Sequence, residues 1–541
     1  MAVDYLTYFV IIPVLIAVFL FVFSSSKAAR VIAIIFQALF VAFSVWLVMQ
    51  TRDTTLTTYI GSYDGLLGIL LQAGDASAVF VLLTASLFLV VSIYSFHESN
   101  QRLFWCLLFL LEGSLVGLFL TRDLFNIFVM VEVSTVVVII LLMYYRHRRN
   151  MFIGMIYLMC NIVAMQLFLF GLAYLYMIAG TFDIVALTEI IAVTPREDLI
   201  IPYALIMTGI AFKAGFLPLI SSVPKVKLYP GAPTGFVAIL SGVHAKVGVF
   251  LFLQMSVMFG HMHLYDLFLV IGIITALAGT MMAMAANDAK VILAWHTVSQ
   301  CGLILIGLSA QNDYAMLGGL YHIIAHAIFK SALFLTAGII RKSYGSMNVY
   351  KVRGVLKRMP LVGIGTIVAI LGITGAPFFL GSISKYYMGA AVDPWLVWTL
   401  RIIAFATIVH FIKYGSMLFG KDPGTTGDEV KPSMWRAVPS FFWGLLCLVG
   451  GLFGPHAINF MFSTGVGVGV SEGLLTSWAY YEKALWFLGS VALGLPFYFY
   501  VVKGNKVLKK LGKLDFSFKT IVASMAIFLG MLIVFVGFLY T

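Results

Sequence analysis

Apolar stretches about twenty residues long, separated by short polar segments, fill this sequence from end to end. A stretch of about 20 apolar residues spans the ~30 Å hydrocarbon core of a bilayer as a helix. Sixteen such stretches fall at about 5–24, 29–49, 77–95, 103–120, 122–143, 152–178, 201–220, 232–256, 264–286, 290–309, 314–340, 361–391, 397–420, 438–455, 475–501 and 519–540. They are called spans one to sixteen below. Two placements are soft: the gap between spans four and five is only Arg122–Asp123, and the weakly apolar Gly465–Ser477 is read as loop. The 541 residues are 62% hydrophobic and 10% charged, whereas a soluble protein carries about 25% charged residues. No soluble core of this size could bury so much apolar surface. No polar linker is long enough to divide the chain, so the expected fold is one all-α polytopic membrane domain of about 14–16 transmembrane helices. The first run has neither a basic leader nor a small-residue cleavage site, and reads as a first span rather than a signal peptide.

The net charge of +12 raises nucleic-acid binding as a hypothesis, and the positions of the charges argue against it. With the N-terminus outside, 24 of the 34 basic residues fall in cytoplasmic loops and five (Arg52, Arg122, Arg196, Arg401 and Lys483) in outer ones. That is the positive-inside bias of a multi-pass protein of the cell (inner, cytoplasmic) membrane. Cys106, Cys160, Cys301 and Cys447 lie inside apolar runs without a CxxC or zinc spacing. They read as packing residues, and no cofactor or metal site is expected.

Charge inside a bilayer costs about 2.5–3.5 kcal/mol per residue on insertion scales, so intramembrane lysines and carboxylates are the candidate functional groups. Glu132 lies mid-way along span five. It reads as the modulator of a nearby lysine's charge or, more blandly, as half of a structural ion pair. Lys213 precedes a helix break and lies far from either end of span seven, while Lys246 lies deep in span eight. His244 is two residues from Lys246, about 200° around the helix, and is left between packing and support. His322, His326 and Lys330 recur at i, i+4 and i+8, which stacks them on one helix face. Histidine both accepts and donates a proton near neutral pH, so the stack reads as a proton relay. Metal ligation by the two histidines lacks a neighbouring carboxylate or thiolate. Lys385 follows a second break, is taken as the counterpart of Lys213, and is given terminal proton exchange. Lys413 lies nearer the cytoplasmic end of its span and is expected to snorkel.

The two breaks are Ala211-Phe-Lys-Ala-Gly-Phe-Leu-Pro218 and Gly372-Ile-Thr-Gly-Ala-Pro377. Proline inside a membrane helix frees carbonyls that only protein or a hydrated cavity can cover. Breaks at matching places in two halves point to inverted repeats around an ion path. The repeats are placed at about 103–256 and 264–420, with N-terminal helices over 1–102 and C-terminal helices over 421–541.

The residues Asp123-Leu-Phe-Asn-Ile-Phe-Val-Met-Val-Glu132, Phe212-Lys-Ala-Gly-Phe-Leu-Pro218, Leu240-Ser-Gly-Val-His-Ala-Lys-Val-Gly248, Asp288-Ala-Lys-Val-Ile-Leu-Ala-Trp-His-Thr-Val-Ser-Gln-Cys-Gly302, His322-Ile-Ile-Ala-His-Ala-Ile-Phe-Lys330 and Gly375-Ala-Pro377 through Lys385 occur in that order. Together they resemble the antiporter-like family shared by Mrp-type cation/proton antiporters, respiratory complex I and membrane-bound hydrogenases, over roughly residues 100–420. The resemblance implies two inverted five-helix repeats, each with a broken helix. It also implies a Glu132–Lys213 pair, bridging groups at Lys246, His322, His326 and Lys330, and an exit lysine at Lys385. Lysine at that last place looks more like the Mrp D-type subunit than the complex I relative with glutamate there. Ala173-Tyr-Leu-Tyr-Met-Ile-Ala-Gly-Thr-Phe-Asp183 is also similar to Mrp subunits. The chain departs from the family after Pro218, where a Trp-Leu-Pro-Asp-Ala-His-like turn is replaced by Ser222-Val-Pro-Lys-Val-Lys227, base for acid.

The expected function is therefore proton translocation in a multisubunit Na⁺ or K⁺/H⁺ antiporter of the Mrp type. The alternative is the same proton module in a redox-driven complex, a membrane-bound hydrogenase or complex I relative. Either way the chain is read as an ion-translocating subunit without redox chemistry of its own, partnered by other membrane subunits. A stand-alone transporter is the third reading.

Overall fold

The computed structural model describes residues 5–23, 27–52, 54–61, 68–97, 102–221, 226–262, 264–390, 392–421, 432–462 and 472–540. Unpaired backbone groups are not tolerated in hydrocarbon, so each apolar stretch has to be helical. All sixteen are helical. Fourteen helices among the described residues are long and apolar enough to cross a membrane. The other two crossings are the broken ones, Arg196–Ala214 and Pro360–Thr374 with its continuation Leu380–Met388. The short gap after span four is real, because Asp123 caps Leu124–Leu142 by accepting from the Asn126 N–H at 2.6 Å. Residues 463–471 of the expected loop before span fifteen lie outside the described residues, and Glu472–Thr476 forms a 3₁₀ turn.

Three elements depart from the sequence reading. A hairpin pairs Leu56–Ile60 with Ile69–Ala73, and a short helix Ile184–Val193 follows span six. Span eight is itself broken: Thr234–Gly242 and Val247–Met258 are joined by a 3₁₀ turn at His244–Lys246. Gly248 explains where that break sits. A Cβ there would lie 2.3 Å from the backbone nitrogen of Ala214, the last residue of the first broken helix. The two interruptions therefore meet backbone to backbone.

Loop contacts agree with strict up-and-down alternation. On one face Leu71 bridges Thr121 and Asp123 bridges Asp183. On the other face Asp288 bridges Asn348, the Arg341 guanidinium donates to the Pro230 carbonyl, and Lys227 pairs with Asp515 at 2.5 Å. This second face holds the loops that carry most of the basic residues.

The halves repeat their local chemistry on opposite faces. The N–H groups of Leu124 and Ile184 donate to the carbonyls of Phe182 and Arg122 at 2.9 and 2.8 Å. The N–H groups of Ala289 and Val349 donate in the same pattern to Met347 and Asn287 at 2.9 and 3.0 Å. Both broken helices end on a left-handed glycine, Gly215 (φ +77°) and Gly375 (φ +84°). In each, the next N–H closes back over the turn, Phe216 to Ala211 at 3.1 Å and Ala376 to Leu371 at 3.0 Å, a C-cap that satisfies the freed carbonyl.

The last two helices cover these breaks. The Tyr480 hydroxyl of Trp478–Phe497 accepts from the Phe378 N–H at 2.7 Å and bonds Ser382 Oγ at 2.8 Å. On Phe518–Tyr540, Ser524 Oγ accepts from the Ile220 N–H at 3.4 Å, just past the first break. Of the basic turn, Lys225 lies outside the described residues, while Lys227 docks against Asp515 ahead of that last helix. The hydrogen bond from Lys227 holds the Asp515 carboxyl below its ordinary range. Asp515 is 76% exposed, so solvent screens the pair and it positions more than it stabilises.

Two substitutions test this packing in the detergent-purified protein by thermal unfolding. A Cβ on Gly381 would lie 2.1 Å from the Gly372 carbonyl oxygen, so Gly381→Ala is expected to cost about 1–3 kcal/mol by overpacking. Gly260→Ala, which meets nothing within 4 Å, is the neutral control, and equal midpoints for the two would refute the close approach. Tyr480→Phe strands a backbone N–H and is expected to cost about 1–3 kcal/mol; an unchanged midpoint would show that the hydroxyl is not the seal.

A buried file of titratable side chains

The first group in the file is Lys213, two residues before the Gly215 cap. Its ammonium donates to Thr135 Oγ1 at 2.5 Å. Thr135 is one turn along span five from Glu132, and Glu132 lies within electrostatic reach of Lys213. Oε1 of Glu132 is buried without a hydrogen-bond partner among the described residues.

Beside Lys213 is a cavity of about 30 Å³, lined also by Ser221, Tyr229, Thr297 and Cys301. That is room for about one water molecule. Thr297 carries the path inward: its Oγ1 bonds Ser241 Oγ at 2.8 Å, and the Ser241 carbonyl accepts from Lys246 Nζ at 2.5 Å. Thr297 Oγ1 also donates to the Leu293 carbonyl at 3.1 Å, and the same carbonyl accepts from Lys330 Nζ at 2.6 Å. Lys246 and Lys330, both fully buried, are thus anchored on backbone carbonyls at either end of the Ser241–Thr297 hydroxyl pair. The break in span eight makes this possible, because it aims the Lys246 amine back at the end of its own first half.

From Lys330 the stack runs up span eleven, Asp313–Tyr344. His326 is buried, and neither ring nitrogen has a partner among the described residues. The His322 ring lies 6.4 Å from that of His326, centroid to centroid. His322 is held from both sides, by Ser384 Oγ on Nδ1 and Gln300 Oε1 on Nε2, each at 2.8 Å. Ser384 precedes Lys385, whose ammonium donates to the carbonyls of Ile373 and Thr374 at 2.9 and 3.1 Å. Measured from the two cap glycines, the register counterpart of Lys213 is Ile373. Lys385 replaces it by reaching across the break to the Ile373 carbonyl. Its amine then faces a cavity of about 140 Å³, lined also by Ser382, Arg401, Tyr480 and Lys483.

Of the seven residues picked from the sequence, Glu132 stands with Lys213, and Lys246, Lys330, His326, His322 and Lys385 form a second set within electrostatic reach of one another. Lys330 and Lys385 donate to backbone carbonyls, and a carbonyl accepts from an amine whether or not it is charged. Such acceptors position a lysine without fixing its protonation state, as a carboxylate would. No group of three or more His, Cys, Asp or Glu side chains placed to hold a metal occurs among the described residues.

Two expectations are corrected. Lys413 does not snorkel: it is buried and donates to the Met284 carbonyl at 3.0 Å, to the Ala286 carbonyl and to Asn287 Oδ1 at 3.0 Å. The end of span nine leaves orphan carbonyls beside it, and a cation there is favoured. Lys290, expected in a loop, is likewise buried and donates to Thr234 Oγ1 at 3.2 Å. Sequence reasoning missed Thr297, Gln300 and Ser384, which carry no charge to mark them. It also passed over Glu112, fully buried mid-way along span four, where Gln37 Nε2 donates to its Oε1 at 2.5 Å; a mid-span carboxylate was the available signal.

Known proteins are similar to this chain in sequence and in fold. The chain is 30% identical over 234 residues to the D-type subunit of the Na⁺/H⁺ antiporter of Alkalihalophilus pseudofirmus, covering 42% of this chain and 47% of that one. It is 28% identical over 276 residues to formate hydrogenlyase subunit 3 of Escherichia coli, covering 46% of this chain and 45% of that one. The matched region thus spans about half the length of each of these two relatives. A protein in the structure of the Mrp complex from Dietzia sp. superposes with a TM-score of 0.77 at 22% identity, over 90% of this chain and 100% of that one, and so shares the fold. Residues 121–410 match the family described as NADH:quinone oxidoreductase/Mrp antiporter, TM. With that match covering more than half of the sequence and the whole of the buried file, the chain belongs to this family of antiporter-like membrane subunits.

Proposed function

We propose that this chain is the proton-translocating subunit of a multisubunit Mrp-type Na⁺ or K⁺/H⁺ antiporter, and that Glu132, Lys213, Lys246, Lys330, His326, His322 and Lys385 are its relay. The observation that carries the reading is that Lys246 and Lys330, both fully buried, stand at either end of the Ser241–Thr297 hydroxyl pair, close enough to feel each other's charge. A proton held at Lys213 opposite Glu132 is released when a neighbouring protein of the complex pulls the glutamate aside. Moving a unit charge away from ~5 Å, at an effective dielectric of 20, changes a neighbouring charge's energy by about 3 kcal/mol. That is roughly 100-fold in proton occupancy, enough to switch the lysine. The proton then passes the cavity at Thr297 to Lys246 and Lys330, climbs the histidine pair and leaves from Lys385.

The matched hydrogen bonds on opposite faces support two inverted repeats at about 103–256 and 264–420, flanked by N-terminal helices over 1–102 and C-terminal helices over 421–541. The charge bias supports a cytoplasmic basic face and an N-terminus outside. The antiporter reading draws on the likeness to the D-type subunit of an Na⁺/H⁺ antiporter and on lysine rather than an acid at 385. The second reading, a proton module of a redox-driven complex, draws on the similar match to a formate hydrogenlyase subunit. Under either reading, the partners are other membrane subunits. Mass spectrometry of the intact purified complex separates the two: antiporter companions support the first, iron–sulfur or hydrogenase companions the second.

In everted vesicles holding the intact complex, Lys213→Ala and Glu132→Ala are each expected to lower cation-driven proton flux by about 100-fold or more, the scale of a positioned proton-transfer group. Assembly, followed by co-purification of the partners, is expected to be unchanged. Wild-type flux in either variant would contradict the relay.

A further inference from the structure

Two buried histidines stand beside the relay without a part in it. His296 on span ten and His410 on span thirteen are both fully buried, with ring centroids 4.7 Å apart. His410 Nδ1 meets the Ala406 carbonyl at 3.0 Å. Its Nε2 and both nitrogens of His296 have no hydrogen-bond partner among the described residues. Each unpaired buried polar atom costs about 1–3 kcal/mol. Phe411 already packs 5.0 Å from the His296 ring, so apolar side chains could have filled this space without that cost. Clustered orphan nitrogens are where ordered water completes the bonding.

The pair has a neighbour at each end. Inward, His296 is within electrostatic reach of Lys330 and His326. Outward, His410 is within reach of Lys413, one turn further along its helix. The Lys413 ammonium stands 5.5 Å from the centre of the Tyr350 ring. Tyr350 is 37% exposed and lines, with Arg353 and Ser416 at the end nearest the basic loops, an open cavity of about 620 Å³ whose deeper walls are mainly apolar.

We propose that His296, His410 and Lys413 form a hydrated side branch that joins Lys330 to the basic face, a second place where protons enter or leave the file. The inference rests on the relay reading and adds to it a connection that neither Lys213 nor Lys385 supplies. It gives Lys413, which stands between the Tyr350 ring and His410, a part beyond capping a helix.

Two arms test it in sealed vesicles of known orientation holding the intact complex. In the first, His410→Cys is treated from one face with the membrane-impermeant methanethiosulfonate ethyltrimethylammonium, and modified peptides are read by mass spectrometry, which separates position 410 from the native cysteines. Modification from the basic face and none from the opposite face is expected. Tyr350→Cys modified while His410→Cys is untouched, or reaction from the opposite face, would overturn the branch. His296→Cys gives the same reading where the first variant does not assemble. In the second arm, His296→Gln combined with His410→Gln is expected to lower proton flux by about twofold or more, the share the branch carries beside the Lys213-to-Lys385 route, and far less than the ~100-fold loss of a positioned proton-transfer group on the sole route; wild-type flux would overturn its conducting role. The labelling arm does not depend on transport. Failure of the relay, seen as wild-type flux in Lys213→Ala, is thus told apart from a dry branch, seen as no reaction at 410.

Discussion

A backbone carbonyl without a donor has no place in hydrocarbon, and this requirement organises the molecule. At three helix ends in the membrane domain, a lysine supplies a missing donor. Lys246 bonds the carbonyl of Ser241, where the first half of span eight ends. Lys385 bonds the last two carbonyls of Pro360–Thr374. Lys413 covers the end of Tyr265–Ala285. The amines and the broken helices are therefore one device: each lysine would be costly without the carbonyls, and the carbonyls would be costly without the lysine.

The same arrangement suits ion movement. Each neutral acceptor directs its amine, and Glu132 alone among the relay residues is a carboxylate, placed beside the first lysine. The breaks also leave open space, a small part-polar cavity beside Lys213 and a larger, mainly apolar one beside Lys385 that Ser382, Arg401, Tyr480 and Lys483 also line. The last two helices reach both breaks, Tyr480 bonding the Phe378 N–H and lining the space beside Lys385, and Ser524 bonding the Ile220 N–H.

Much of this was legible in the sequence, for physical reasons. Apolar length sets the crossings, and the rarity of mid-membrane charge singles out Glu132, Lys213, Lys246, Lys330 and Lys385. Proline and glycine mark the breaks at Gly215 and Gly375. The break in span eight was hidden, because no proline announces it; the close approach of Ala214 to Gly248 locates it. Thr297, Ser384 and Gln300 were hidden as well, since a hydroxyl or amide in a helix looks the same whether it bonds its own turn or bridges two lysines. Lys413 was misjudged because position along a span does not reveal that a neighbouring helix ends beside it. The His296–His410 contact joins spans ten and thirteen, and no spacing within one helix encodes it.

The central claim is that the buried lysines and histidines form one water-connected path across the middle of the membrane. An experimental structure of the intact complex, at a resolution that shows ordered water, tests it most directly. The account expects water beside Lys213 and Thr297, around His326 and in the Lys385 cavity, bridging each gap in the side-chain hydrogen bonds. Apolar side chains filling those gaps, with Lys330 and Lys385 sealed from one another, would contradict it.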